Sequence, residues 1–461
     1  MRKVALPIIL LVLCSVPILA GELLMNGTGE IVHDQLEPQP HVPVLIIPGI
    51  LGSMLVDAST SSEKLLWPGT VMFGGDIGPL RLPSSGKGSL GFDVRPTRLV
   101  GFAEPLSALE SFNKSSLARL TPGWLREWIP NTLRAFSYYG GILATFQSAG
   151  YVLDVDLFTF PYDWRRDLLE TSILLASKIA DILAQTGVEA VDIVAHSMGG
   201  LLSRAYVNAA DDPPVRKLIM MGTPSHGSPD AFVTLHSKLG SGRLLLEDKN
   251  AQELSMNWPS VFQLLPTPRY FELYGHIFVD QFGEDHEEAL TGATGDATWR
   301  RTYLENPDSS LADVNEYLLT TAGSYSARAF HERIGSTLQF AGELVIIAGS
   351  GTSTVGTVMK TDSTEHTWNG ISTNGDGTVP LLSVTRLESS GPISIYHTTA
   401  SHEGMLSDTA VGRLLPTLLC GDASAVSAVL DGSRSLRQEV SISDGREDEA
   451  FPVSTSGASP L

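Results

Sequence analysis

The segment VPVLIIPG, residues 42–49, is apolar without alternation and ends in Pro48 and Gly49. That pattern predicts a strand buried on both faces and stopped by a sharp turn. YVLDVDLFTF, residues 151–160, alternates as a strand should, and between Ser172 and Gln185 residues such as Leu175, Ile179 and Ile182 recur at helical spacing before Gly187 ends the helix. VEAVDIVA then reads as a strand, SMGGLLSRAYVNAA as a helix and VRKLIMMGTP as the next strand, while ELVIIAGSG and GPISIYHTTA restore strand character later. Strands alternating with helices predict a mostly parallel sheet with right-handed crossovers and helices on both faces. Ligands on such sheets sit at the carboxyl ends of the strands.

Between these stretches the pattern lapses. Residues 54–150 read as a long insert and residues 227–340 as a cap over the strand ends. Past Cys420 the composition turns to Ser, Gly, Asp and Glu, so residues 422–461 are expected to be a disordered tail and 21–421 the folded domain. Arg2 and Lys3, an apolar stretch and Ala20 make residues 1–20 read as a signal peptide, with export as the expected fate. An uncleaved anchor is the alternative, because Ile18 is bulky for a cleavage site.

The 461 residues, 43% of them hydrophobic, suffice for a large core. A net charge of −20 repels phosphate backbones and argues against nucleic acid as a partner. With Cys14 in the presumed signal and Cys420 near the end, the mature chain has no internal disulfide. No cofactor, metal or stable protein partner is expected.

Candidate chemistry centres on Ala195, His196, Ser197, Met198 and Gly199, where an apolar strand gives way to a helix. This is the setting of the nucleophile elbow of α/β-hydrolases, in which the turn strains the central residue and demands small neighbours two positions away. The helix start favours the negative charge that develops during attack. Taken alone, Ser197 also fits a plain helix cap. His196 reads as packing rather than as a base.

A serine hydroxyl needs a histidine to take its proton and a carboxylate to hold that histidine's tautomer, in the chain order Ser, Asp or Glu, His. NGDGTVP offers Asp376 in a Gly-flanked turn, and TASHEGMLSD offers His402 just past a strand. Asp362 and Asp408 are competing carboxylates, and His397 is a competing base. The backbone N–H groups of Met198 and, in the PGILGS loop, of Ile50 are the expected oxyanion donors, with Leu51 next.

Together, VPVLIIPGILGS, LFTFPYDWR, VDIVAHSMGGLLSR, GTPSHGSPDAF, WPSVFQLLP, GDGTVP and SHEGML resemble the lecithin:cholesterol acyltransferase family, from Val42 to about Leu406 in the family's order. The resemblance implies Ser197, Asp376 and His402 as a triad with Ile50 and Met198 as oxyanion donors. It further implies acyl transfer or hydrolysis on a phospholipid or similar lipid ester, at a membrane or lipoprotein surface. A triacylglycerol lipase or carboxylesterase is the alternative, and a non-catalytic lipid-binding relative the second. Animal relatives pin a membrane-binding lid with a disulfide that this chain lacks. Trp67, Trp124 and Trp128 of the insert are read as packing onto the core or as meeting lipid, and Asp163, Trp164 and Arg165 as a structural ion pair or a block near the site.

Overall fold

The computed structural model describes residues 41–59, 63–68, 78–83, 88–100, 138–231, 254–255, 258–267, 269–270, 273, 278–280, 327–360 and 368–439. Strands β1 (Val44–Ile47), β2 (Leu157–Thr159), β3 (Val191–His196), β4 (Val215–Met221), β5 (Glu343–Gly349), β6 (Ile393–Thr398) and β7 (Leu436–Gln438) form one sheet in the order β7-β6-β5-β4-β3-β1-β2. Every neighbouring pair is parallel except β6 and β7. Helices α1 (Tyr138–Ser148), α2 (Leu168–Thr186), α3 (Met198–Ala209), α4 (Thr409–Cys420) and α5 (Ala423–Asp431) accompany it. This is the α/β-hydrolase fold expected from the alternation of strands and helices.

The absence of alternation in β1 has a direct structural cause. Val44 and Ile46 join a core with Ile142 and Phe146 of α1 and Leu414 and Leu418 of α4. Leu45 and Ile47 join a second core with Leu175 and Ile179 of α2 and Leu201 and Leu202 of α3. Both faces are covered, and each fully buried aliphatic side chain contributes roughly 1.5–3 kcal/mol of burial. Helix α2 starts where the Asp167 carboxylate accepts from the Leu169 and Glu170 amides and stops at Gly187 with φ of 71°.

The expected tail is corrected over residues 422–439. Asp422 caps α5, accepting from the Ser424 and Ala425 amides. Val426, Val429 and Leu430 pack on the core, and β7 pairs antiparallel with β6. The polar composition that suggested disorder belongs to caps and turns around a short apolar face.

Within the insert, Ser53–Asp57 pairs antiparallel with both Lys64–Trp67 and Val94–Leu99, a small sheet built from bulged strands. Trp67 faces inward: it is buried, its indole N–H donates to the Leu51 carbonyl at 2.8 Å, and it stacks edge-on against Trp164. Trp124 and Trp128, residues 1–20 expected to be a signal peptide and residues 440–461 lie outside the described residues, as does much of 227–340. Among the described residues no helix is long and apolar enough to cross a membrane.

Candidate active site

Strand β3 delivers Ser197 to the mouth of a cavity, and α3 begins at the next residue. Ser197 adopts φ 55° and ψ −126°, a conformation that L residues avoid unless their surroundings impose it. The imposition is local: the Ser197 N–H donates to the Met221 carbonyl of β4 at 2.8 Å. Gly49 lies against the other side, where an added Cβ would come within 2.8 Å of the Ser197 Cβ.

His402 follows β6, and its Nε2 lies 2.9 Å from Ser197 Oγ. Its Nδ1 donates to Asp376 Oδ2 at 2.7 Å, and its backbone N–H donates to the Asp376 carbonyl at 2.9 Å. The other carboxylate oxygen, Oδ1, accepts from the Thr378 and Val379 amides at 2.9 and 2.7 Å. Asp376 therefore cannot swing away from the imidazole without losing bonds to its own turn. Gly222, with φ 56°, sits directly beneath this pair; an added Cβ would lie 3.0 Å from both Asp376 Oδ2 and His402 Nδ1.

All three side chains are buried. Burial pulls the His402 pKa down, but the charge and hydrogen bond of Asp376, with Glu403 and Asp230 adding to them, outweigh it and hold the imidazole above the usual histidine value. That is the electrostatic setting for a group that must take up a proton beside a hydroxyl.

The competing residues are placed elsewhere. Asp408 caps α4, accepting from the Ala410 and Val411 amides. His397 points its Nε2 at Glu439. Asp362 lies outside the described residues. Asp163 and Arg165 form a two-point ion pair at 2.7 and 2.8 Å, and the guanidinium also donates to the Pro79 and Leu80 carbonyls, tying the insert to the core away from the cavity.

The backbone N–H groups of Ile50, Leu51 and Met198 find no acceptor among the described residues, whereas that of Gly49 donates to the Tyr139 hydroxyl at 2.7 Å. Ile50 and Leu51 line the same cavity as Ser197. Its volume is about 140 Å³, with Trp67, Val261, Leu264 and Leu406 among its apolar walls. That is close to the roughly 150 Å³ that accommodates a benzene ring in an engineered apolar cavity. Among the described residues no group of three or more His, Cys, Asp or Glu is placed to hold a metal ion.

A model of the lecithin:cholesterol acyltransferase family matches residues 90–329, just over half of the chain. The chain belongs to that family. The stretch matched to the acyltransferase model contains Ser197 and PYDWR and ends before Asp376 and His402. Lecithin-cholesterol acyltransferase-like 4 of Arabidopsis thaliana is 25% identical over 253 residues, which is 50% of this chain and 44% of that protein, so the chain matches less than half of that relative's length. Among solved structures, the Tle4-Tli4 complex is similar with a TM-score of 0.45 at 14% identity, over 84% of this chain and 99% of that one. The mature form of the lipase BlEst2 from Bacillus licheniformis is similar with a TM-score of 0.32 at 12% identity, over 82% and 93% of the two chains.

Sequence reasoning missed Tyr139; His196, which is not the group facing Ser197 Oγ, meets it beside the site at 3.1 Å between Nδ1 and Oη. Tyr139 stands at the start of an ordinary apolar helix, and no local pattern marks it.

Proposed function

We propose that this member of the lecithin:cholesterol acyltransferase family is a serine-dependent lipid acyltransferase or acyl-hydrolase. Ser197 attacks the ester carbonyl of a phospholipid or similar lipid while His402 Nε2 takes its proton, and Asp376 steadies the imidazolium that results. The carbonyl oxygen gains negative charge and is met by the Ile50 and Met198 amides. The tetrahedral centre then collapses: the ester C–O bond breaks, His402 returns the proton to the leaving oxygen, and the acyl group stays on Ser197. An alcohol or water, deprotonated by His402, attacks the acyl carbon; the bond to Ser197 Oγ then breaks, and His402 returns the proton to Oγ, releasing the new ester or fatty acid.

The observation that carries this reading is the unbroken contact from Ser197 Oγ to His402 at 2.9 Å and on to Asp376 at 2.7 Å, at the wall of an apolar cavity. The apolar walls suit an acyl chain, and the export expected from residues 1–20 would bring the protein to where lipid surfaces are met. Water as acceptor makes the same acyl-enzyme a lipase or carboxylesterase.

The test is incubation with phospholipid vesicles, with and without a sterol or other alcohol, followed by product analysis, in parallel with fluorophosphonate labelling. Labelling at Ser197, lost together with turnover in Ser197→Ala by about 10⁴-fold to 10⁶-fold, supports the mechanism. New ester indicates transfer and free fatty acid alone indicates hydrolysis. A folded wild-type protein that neither labels nor turns over any ester refutes the proposal.

A further inference from the structure

His196 is buried beside the proposed nucleophile, yet it does not touch Ser197's proton path. Its Nε2 lies 2.9 Å from the backbone carbonyl oxygen of His402, and its Nδ1 lies 3.1 Å from the Tyr139 hydroxyl. That hydroxyl is in turn 2.7 Å from the backbone nitrogen of Gly49, the residue before Ile50. Only one set of proton positions satisfies all three contacts. The His402 carbonyl can only accept, so Nε2 carries the ring hydrogen and Nδ1 is an acceptor. The Gly49 amide can only donate, so the tyrosine oxygen accepts there and donates its own hydrogen to Nδ1.

We propose that Tyr139 and His196 are positioning residues that tie the oxyanion turn at Gly49 and Ile50 to the backbone of His402. The inference rests on the reading of Ser197 as nucleophile and His402 as base. Two parts of the site that must stay in register through the reaction come from distant segments: a turn after β1 and a loop after β6. The chain of hydrogen bonds through Tyr139 and His196 joins them without using the Ile50 amide, which stays free for the oxyanion. Helix α1 brings Tyr139 to this position because it packs closely on residues 404–407, where a Cβ added at Gly141 would lie 2.7 Å from the Leu406 carbonyl. The His196 and His402 rings lie 4.7 Å apart between centroids. Burial, reinforced by nearby His402, holds the His196 pKa well below the usual histidine value, so the ring stays neutral while His402 takes up its proton.

Tyr139→Phe removes one hydroxyl and keeps the ring, and His196→Gln keeps a donor and an acceptor on a differently shaped side chain. A misplacement of about 1 Å in a reacting site costs on the order of 100-fold. Tyr139→Phe should therefore lower kcat on a short-chain ester about 10-fold to 100-fold while KM stays within about twofold. Affinity for a trifluoromethyl ketone, whose serine adduct carries the oxyanion, should fall by the same factor as kcat/KM. The double variant Tyr139→Phe/His196→Gln should be no worse than the weaker single variant, since loss of the Tyr139 hydroxyl already interrupts the one chain through both residues.

An unchanged kcat in Tyr139→Phe, additive losses in the double variant, or a loss confined to KM overturns the proposal. On the wild-type protein, ¹⁵N NMR of the His196 ring should show the neutral Nε2–H tautomer, and the Nδ1–H tautomer overturns it without any variant having to fold. Wild-type labelling by a fluorophosphonate keeps the two readings apart. Absent labelling defeats the assignment of Ser197, while normal labelling at an unaltered rate in Tyr139→Phe defeats only the tie.

Discussion

His402 is fastened to Asp376 twice, by its ring Nδ1 to the carboxylate at 2.7 Å and by its backbone N–H to the carbonyl at 2.9 Å. The second contact fixes where the histidine stands, and the first fixes which ring nitrogen carries the hydrogen. Substitution of the carboxylate alone therefore separates tautomer and charge from placement.

Asp376→Asn should keep the fold and the backbone contact while losing the charge that stabilises the imidazolium. A drop in kcat of about 10⁴-fold is expected, the scale seen when a triad carboxylate becomes an amide. Steady-state kinetics on a soluble ester, with a thermal melt as the control for folding, will measure it. Retention of more than a tenth of wild-type kcat would assign the orienting role to another carboxylate.

The acid side of the pH profile follows from the direction of the His402 shift. The imidazole must be neutral to accept the serine proton, and its pKa lies above the ordinary value of about 6.5. Thus kcat/KM should rise with pH through a midpoint above that value, and the rate of fluorophosphonate labelling should follow the same curve. In Asp376→Asn the midpoint moves to lower pH, because the strongest influence raising the pKa is gone while burial remains. The same histidine adds stability below its unfolded pKa and loses that contribution as pH rises through the folded one. A wild-type midpoint below 6 contradicts the assignment.

Backbone strain at Ser197 leads to an expectation about stability rather than rate. Its positive φ costs about 1–3 kcal/mol for a side-chain-bearing residue. Glycine relieves the strain but loses about 0.4–1 kcal/mol through its freer unfolded chain. Ser197→Gly should thus be inactive yet more stable by on the order of 1 kcal/mol, readable as a higher urea midpoint at unchanged slope. Reduced stability would mean that the turn is relaxed in the wild type.

Arg165 invites the opposite experiment. It is buried, pairs with Asp163 and holds two insert carbonyls. Its removal leaves a carboxylate whose pKa is held down, against the effect of burial, chiefly by Arg165, with Arg166 as a remaining partner. Arg165→Ala should cost about 3 kcal/mol, the lower end for a broken buried pair, with kcat of the folded protein within about threefold of wild type. Denaturant titration and active-site labelling together decide it: a large loss of kcat at unchanged stability would place the PYDWR block in the chemistry.

The sheet was legible because its strands are covered on both sides and so write unbroken apolar runs such as VLII and LIMM. Ser197, Asp376 and His402 could be singled out because each stands just past a strand, Asp376 between two glycines, and the structure brings them into contact. Other features left no such trace. Residues 422–439 carry caps and a short apolar face whose composition imitates a loose tail. The insert strands are bulged between Ser53 and Leu55 and between Leu55 and Val56, which erases the two-residue period. Asp408 resembled a site carboxylate because an N-cap and a loop acid share the same letter. Tyr139 meets His196 across 57 positions of chain, a relationship that no local pattern encodes.

That distance has a counterpart on a larger scale. The Ser197 hydroxyl and the His402 imidazole are 205 positions apart, and β6 lies between β5 and β7 in the sheet. A growing chain thus carries an elbow with no base until most of the sheet has been synthesised and paired. Under the proposed mechanism the chemistry therefore waits for the strands that follow β5, and their pairing sets the earliest moment at which it can begin.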